Sequence, residues 1–367
     1  MSSEPRRYAD INAVVGGLLR DLAYVQTSPQ RVFGYKRAAS AVLALERPLT
    51  ELQRSDGTLE KIPGIGPASS RVILEVLESG TSPTVERTVE LSGRSDEVHT
   101  RRALRTHFLS RAEVVRILSD PAFAGPRTDE YHGDLQMHSE WSDGAATLEE
   151  IAEACVERGY QFSAVTDHSH GLTIARGMSM EAAAEQWRAI DRLNATSGDR
   201  FRLIRGVEAN IGIDGTLDLS DDEASQFELV LAAPHSRLRK SDDQTSRLLT
   251  AIHTPYVHVL AHPRGRIAGS RAGVVARWAE VFDEAAQQGV AIEIDGDPAR
   301  QDVDHTLAAQ ALSAGCLFAL DSDAHTTDQL RYADTALAHA RLAGIPPDRI
   351  VNCWPTERLI EWLRRSG

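Results

Sequence analysis

Seven short apolar runs in the last two thirds of the chain each end in residues that ionise or ligate. This repetition constrains the fold more than any other feature. The runs are GDLQMH, FSAVTDH, FRLIRGVE, FELVLAAPH, YVHVLAH, VAIEIDGD and CLFALDSDAH. Their polar ends are, in order, Gln136 with His138, Asp167 with His168, Glu208, His235, His262, Asp295 with Asp297, and Asp323 with His325. Amphipathic stretches such as TLEEIAEACVERG and VVARWAEVFDEAAQQG separate several of them. Strands alternating with helices at intervals of roughly thirty residues build a parallel β/α sheet or barrel. Seven units are too many for a small flavodoxin-like sheet, so a barrel is expected. A parallel barrel gathers the C-terminal ends of its strands at one rim, and active sites form there. Histidines scattered through a core would not fall at one end of nearly every strand.

Imidazole and carboxylate together are the usual ligands of zinc, manganese or iron. His138, His168, His235, His262 and His325, with Asp143, Glu208 and Asp323, exceed the needs of one tetrahedral ion. They fit two or three ions, one carboxylate bridging. Residues two apart on a strand point to the same face. Gln136 and His138 can therefore address one ion, while Asp143 reaches in from the following loop, and Asp323 and His325 share the same relation. Taken singly, His235 or His262 reads more readily as a hydrogen-bonded core histidine; taken together, the balance reverses. His132 fits the pattern less well, His253 and His258 read as structural, and His170 as a rim or substrate contact.

The first third has a different character. INAVVGGLLRDLAYV and PQRVFGYKRAASAVLAL have helical apolar spacing, and LEKIPGIGPASSRVILEVLESG sets a Gly-rich turn between two apolar-periodic segments. A helical stretch, RALRTHFLSRAEVVRIL, leads to the Pro/Gly segment PAFAGPRTDE, expected to act as a linker with some freedom. The expected organisation is therefore 1–82 helical, 83–130 connector and linker, and 131–367 barrel. Net charge divides accordingly. Residues 1–130 hold 18 Lys+Arg against 17 Asp+Glu, and residues 131–367 hold 22 against 36. The overall charge of -13 thus belongs to the half that would gather cations, and it does not exclude nucleic acid from the other half. No apolar run is long enough for a membrane span, and MSSEPRRYAD lacks a secretory core, so the expected location is the cytoplasm. Cys155, Cys316 and Cys353 lie far apart and read as reduced core residues.

Residues 131–355 resemble the PHP (polymerase and histidinol phosphatase) superfamily through DLQMHSEWSDG, VTDHS, GVEANI, APHS, LAHPRGR and LDSDAH. The resemblance implies an α/β fold, a distorted (β/α)7 barrel, with a trinuclear metal centre that cleaves phosphoesters. Carried over by position, His138, Glu208 and Asp323 would hold a first ion and serve as the catalytic core. Glu208, His235 and His262 would hold a second, and Asp143, His168 and His325 a third. Gln136 departs from the histidine most members have. An amide oxygen ligates a hard cation but is a poorer zinc donor, so the first ion would be held more weakly. Closely spaced ions would lower the pKa of a bridging water from about 15.7 towards roughly 7 for in-line attack on phosphorus. Arg264 and Arg266 are placed to grip a phosphate or to sit in a solvated loop. Asp297 and Arg300 fall where family-X relatives have an Asn and an Arg near substrate.

KIPGIGPASSRVILE resembles the helix-hairpin-helix motif, in which Gly64 and Gly66 permit a tight turn that aims N–H groups at a DNA phosphate. The resemblance also implies a monovalent cation on the carbonyls of Glu60, Ile62 and Ile65. RVFGYKRAASAV is similar to the N-terminal domain of family-X DNA polymerases. Lyase-active members carry a lysine where Val72 stands, and a second lysine position is Ala68; valine cannot form an imine, so no lyase activity is expected. The polymerase palm has no room in residues 81–130. Lys36, Arg37, Arg101, Arg102 and Arg105 could extend a DNA-facing strip or be solvated helix charges. Three functions follow: a DNA phosphoesterase of the 3′–5′ exonuclease, 3′-phosphatase or abasic-site nuclease type; a small-molecule phosphatase of histidinol-phosphate or nucleotide type; and a non-enzymatic DNA-binding scaffold.

Overall fold

The computed structural model describes residues 10–364, the side chain of Asp199 excepted. The segment MSSEPRRYA, read above for its lack of a secretory core, lies outside the described residues. The chain divides into two compact units, Met1–Ser119 with Ala268–Ser270, and Asp120–Ile267 with Arg271–Gly367.

The first unit is helical: α1 (Ile11–Val25), α2 (Pro29–Leu43), α3 (Pro67–Ser79), α4 (Pro83–Leu91), α5 (Ser95–Ala103) and α6 (Arg111–Ser119). The Asp10 side chain caps α1 by accepting from Ala13 N at 3.0 Å, and α2, α3 and α4 each begin with proline, whose missing N–H is not needed there. One core joins Val15, Leu19, Val42, Val72, Ile73 and Val76 to Val85 and Val89 of α4 and Val98 of α5. The helices after residue 82 therefore share the core of those before it. The Gly-rich turn is present, with Gly64 at φ +83° and Gly66 capping α3. The segment before it is not a full helix. It is a 3₁₀ turn, Leu49–Leu52, and a bridge between Gln53 and Leu59. Asp56 explains the interruption, because its side chain accepts from Thr58 N at 2.9 Å and closes a turn with Gly57 at φ +82°.

Part of the anticipated basic strip turns inward. Arg102 Nε and Arg105 Nη2 converge on the fully buried Asp21 at 2.6 and 2.5 Å, and Arg102 also pairs with Glu86 at 2.7 Å. Arg101 lies over the Tyr24 ring at 4.1 Å. Lys36 and Arg37 stay exposed on α2.

The second unit is a curled sheet of six parallel strands in sequential order: β1 (Phe162–Val165), β2 (Arg202–Asn210), β3 (Leu229–Ala233), β4 (Val259–Leu260), β5 (Ala291–Asp295) and β6 (Phe318–Asp321). Most strand residues are buried, which is why these runs read as nearly continuous apolar stretches. Before, between and after the strands lie α7 (Leu148–Glu157), α8 (Met180–Ser197), α9 (Asp221–Ala224), α10 (Thr245–Ile252), α11 (Trp278–Gln288), α12 (His305–Ala314), α13 (Ala333–Ala343) and α14 (Thr356–Leu363). Leu135, Phe162, Ile204, Leu231, Val259 and Ala319 form the core, closed by Trp354 and Trp362.

The first of the seven expected strands, GDLQMH, lies between β1 and β6 without completing a ladder. On one side Ala164 N donates to Asp134 O at 2.9 Å and Thr166 N to Met137 O at 2.8 Å. On the other, side chains replace part of the backbone pairing, although His138 N still donates to Ala324 O at 2.8 Å. Leu135 N donates to Asp321 Oδ1 at 2.8 Å, and Ser322 N to Asp134 Oδ1 at 3.2 Å. Buried Asn352 secures the same seam, donating to Gly133 O and Asp321 Oδ1, both at 2.9 Å. The Pro/Gly stretch expected as a linker belongs to this second unit, where Arg341 Nε donates to Phe123 O at 3.2 Å. Among the described residues no helix is long and apolar enough to cross a membrane.

Candidate metal centre

Glu208, near the end of β2, is the hub. Burial leaves it 1 % exposed. Its Oε1 lies 3.0 Å from His235 Nε2 and 2.9 Å from His262 Nε2, and its Oε2 lies 3.2 Å from His138 Nε2 and 3.6 Å from His168 Nδ1. Four imidazoles, three following strand ends and one ending the GDLQMH segment, thus address the two oxygens of one carboxylate. Asp323 Oδ1 meets His138 Nε2 at 3.1 Å. Asp143 Oδ1 is 3.4 Å from His325 Nε2 and 3.6 Å from His168 Nε2. The rings of His168 and His325 stack on His138 at 4.4 and 4.5 Å.

Three sets bring their ligand atoms within 4.8 Å of one another: His138, Asp143, His168 and His325; His168, Glu208 and His235; and His138, Glu208 and Asp323. The last is the first-ion set carried over above. The others regroup the expected ligands: His138 joins the Asp143 set, and His168 stands in the second set beside His235. His262 reaches the hub through Glu208 Oε1. Gln136 is fully buried here, and its Nε2 donates to Glu208 Oε2 at 3.0 Å while Oε1 has no partner. The ring Nδ1 atoms of His138 and His168 are likewise buried without a hydrogen-bond partner. Unsatisfied buried acceptors among carboxylates suit a bound cation, and the nitrogen and oxygen donor set suits a divalent one.

Burial works against charge at His138, His168 and Glu208, yet the mutual pairing overrides it at two of them. Hydrogen bonds and charges from Asp323 and Glu208 hold the His138 imidazole well above its ordinary value despite desolvation. Burial opposes ionisation of Glu208, but the surrounding imidazoles hold it well below the usual carboxylate range. His168 goes the other way, down to about 4, chiefly because it is buried.

The supporting residues explain the geometry. His262 and Asp323 both have left-handed backbones, at φ +25° and +50°, and such strain in non-glycine residues gathers at functional sites. Glu293 of β5 accepts the His262 N–H at 2.5 Å and secures that conformation. Asn210 Oδ1 lies 3.2 Å from His235 Nδ1. Asp167, the partner of His168 in the sequence pattern, does not face the cluster. It accepts from Ser139 N at 2.9 Å and Gln186 Nε2 at 2.6 Å and ties down the loop carrying Asp143. Asp134, Glu293, Asp295 and Asp321 form a buried acidic layer. Burial, then the charge of Asp321, pushes Asp134 up to about 8, and burial pushes Asp321 up to about 6. Sequence reasoning passed over Glu293 and Asp321, although an acid inside an apolar run (IEID, FALD) was the signal available.

Arg300 is at the cluster, with Nη1 2.6 Å from Asp323 Oδ2 and 3.7 Å from Asp295 Oδ2. Asp297 is bound up in its own loop, its side chain accepting from Ala299 N at 2.7 Å. Arg264 is 26 % exposed at its side chain and pairs with Asp304 at 3.0 Å. Arg266 is not available to a phosphate: it is buried, and its guanidinium is committed to Asp304, Arg300 O and Gln301 O. It organises the loop after β5. His258 is buried between Val230 N and Leu363 O, a structural arrangement.

Residues 134–295 match the family description "PHP domain". The barrel is a PHP domain. Residues 11–82 match "Helix-hairpin-helix domain", so the PHP unit follows a helix-hairpin-helix domain in the same chain. The chain is 36% identical over 235 residues to the DNA polymerase/3'-5' exonuclease PolX of Bacillus subtilis, a match covering 64% of this chain and 41% of that one. It therefore spans less than half of PolX. It is 29% identical over 249 residues to the probable phosphatase YcdX of Escherichia coli, covering 65% of this chain and 96% of YcdX. A histidinol phosphate phosphatase from Lactococcus lactis, solved with zinc, L-histidinol and phosphate, aligns with a TM-score of 0.43 at 16% identity over 57% of this chain and 94% of that one. PHP domains hydrolyse phosphoesters, and this chain is a metal-binding phosphoester hydrolase of that type.

Proposed function

We propose that the substrate is DNA, and that the chain removes nucleotides or phosphate from 3′ ends, or cuts at abasic sites, without polymerising. The observation that carries this reading is the pairing of a helix-hairpin-helix domain at 11–82 with a PHP domain at 134–295 in one polypeptide. The likeness to PolX supports it. The interval between the two matches holds α4, α5 and α6 and no strand among its described residues, so no nucleotidyltransferase sheet stands there.

Within the barrel the proposed ligands are His138, Glu208 and Asp323 with Gln136 beside them; Glu208, His235 and His262; and Asp143, His168 and His325. Divalent ions held there supply Lewis acidity and lower the pKa of water, which is the chemistry phosphoester hydrolysis needs. The protein's part is positional. Glu208 fixes four imidazoles against one carboxylate, Glu293 secures His262, and Asp167 steadies the loop of Asp143. Arg300 brings a positive charge beside Asp323, where a phosphoryl group would develop negative charge.

The test is an assay with Mn²⁺ or Zn²⁺ on labelled single-stranded, gapped and 3′-phosphorylated DNA, with a His168→Ala control and a small phosphomonoester as competitor. Shortened 3′ ends or released phosphate are expected, with the control slower by about a hundredfold or more. A control as fast as wild type overturns the site. Turnover of the monoester alone overturns the DNA reading and leaves the small-molecule phosphatase, which the match over nearly all of YcdX favours.

A further inference from the structure

The loop after β4 carries His262 and then folds back tightly. Gly265 N donates to His262 O at 2.8 Å, Val274 N to Arg264 O at 2.7 Å, and Ile267 and Arg271 exchange backbone hydrogen bonds of 2.9 and 3.0 Å. Gly265, at φ +57°, is held in turn by Asp302 Oδ2, which accepts its N–H at 2.7 Å. Onto this frame Arg271 Nε donates to Gly265 O at 2.6 Å. That bond aims the guanidinium and leaves its two terminal nitrogens without a partner among the described residues.

The neighbouring rim arginines are all matched. Arg264 and Arg266 pair with Asp304 at 3.0 Å, Arg237 with Asp242 at 2.6 Å, and Arg300 with Asp323 at 2.6 Å. Arg271 is half-buried with no carboxylate in ion-pair reach among the described residues. Burial and then the positive charges of Arg300 and Arg239 hold its guanidinium below its ordinary value, with Asp302 the opposing charge. A partly desolvated cation is costly unless an anion joins it. A guanidinium with both terminal nitrogens open is suited to bidentate contact with phosphate.

We propose that Arg271, on the loop that carries His262, forms a second phosphate-binding position, one that takes a non-scissile phosphate of a polynucleotide. It rests on the reading that the cluster hydrolyses phosphoesters, and it deepens that reading by selecting substrates with at least two phosphates. The loop links the two positions: Gly265, whose N–H holds His262 O, also takes the Arg271 Nε–H on its carbonyl. A small monoester would fill the position over the cluster and leave Arg271 unmatched, whereas a DNA strand presents its next phosphate along the backbone.

The experiment compares wild type, Arg271→Ala and Arg271→Lys in the full chain with Mn²⁺ on two substrates, the p-nitrophenyl ester of thymidine 5′-monophosphate and a short oligodeoxythymidylate. The first has one phosphate and the second several. In Arg271→Ala the ratio of kcat/KM for the oligonucleotide over that for the ester should fall about ten- to a hundredfold, through KM. Arg271→Lys should recover part of the loss, since it keeps the charge but not the fork. An unchanged ratio, whether both constants hold or both fall together, overturns the proposal. If wild type turns over neither substrate, the hydrolase reading fails first and this one with it.

Discussion

His262 and Glu208 meet at 2.9 Å, imidazole Nε2 to carboxylate Oε1, with His262 in a left-handed backbone that most residues avoid. Glu293 compensates by taking the His262 N–H. The hub of the site is therefore held from two sides, by ring contacts above and by a backbone bond below.

Glu208→Gln keeps the shape of the hub and removes its charge. Retained Mn²⁺ or Zn²⁺, measured by elemental analysis after gel filtration, should fall, and kcat/KM on any phosphoester should drop by about a thousandfold or more. A variant with full metal content and near-normal turnover would show that the hub is not a ligand.

Gln136→His places imidazole where an amide now donates to Glu208. The affinity of the weakest zinc site, read by competition with a chromophoric chelator, should rise about tenfold or more, with Mn²⁺ affected less. No change in zinc affinity would separate Gln136 from the metal sphere and leave it as an orienting group for Glu208.

His258 sets an acid limb for stability. Burial lowers its pKa from 6.5 to about 4, and its neutral ring accepts from Val230 N and faces Leu363 O. The unfolded chain binds that proton first as pH falls, so stability is complete above about pH 6.5 and declines towards pH 4, by up to about 3 kcal/mol. Denaturant melts of wild type and His258→Asn across that window should differ in slope. Parallel curves would assign the acid limb to other groups.

Asp21→Asn should destabilise the helical unit. Asp21 is fully buried against Arg102 and Arg105, and removing one member of a buried pair leaves an uncompensated charge. A loss of roughly 3 kcal/mol is expected, at the low end of the usual range because the Arg102 side chain is 35% exposed. A double cycle with Arg105→Ala, followed by thermal melting, measures the coupling.

Much of the barrel could be read from the polypeptide because strand runs and their polar ends follow a period that burial enforces. Glu208, His235 and His262 stand at such ends. Other features had no local signal. The seam at GDLQMH depends on Asp134, Asp321 and Asn352, residues up to 219 positions apart in their contacts, and no window of sequence shows that a side chain will replace a ladder bond. Arg266 illustrates the opposite difficulty. Its place just after His262 suggested substrate, but whether a guanidinium meets phosphate or a neighbouring loop depends on Asp304 and Gln301, which folding delivers from another strand. The hairpin was legible through Gly64 and Gly66, whereas the 3₁₀ turn at Leu49–Leu52 and the Asp56 turn before it were not.

The seam has a mechanical consequence. Where carboxylates stand in for part of an amide ladder, the wall they close hangs on side chains, and that wall carries Gln136 and His138. Cations bridging His138 to Asp323 would clamp the opening from within. Loading the chamber should thus stiffen the barrel along this side-chain seam, so that the ions act as a latch on the fold as well as tools for the reaction.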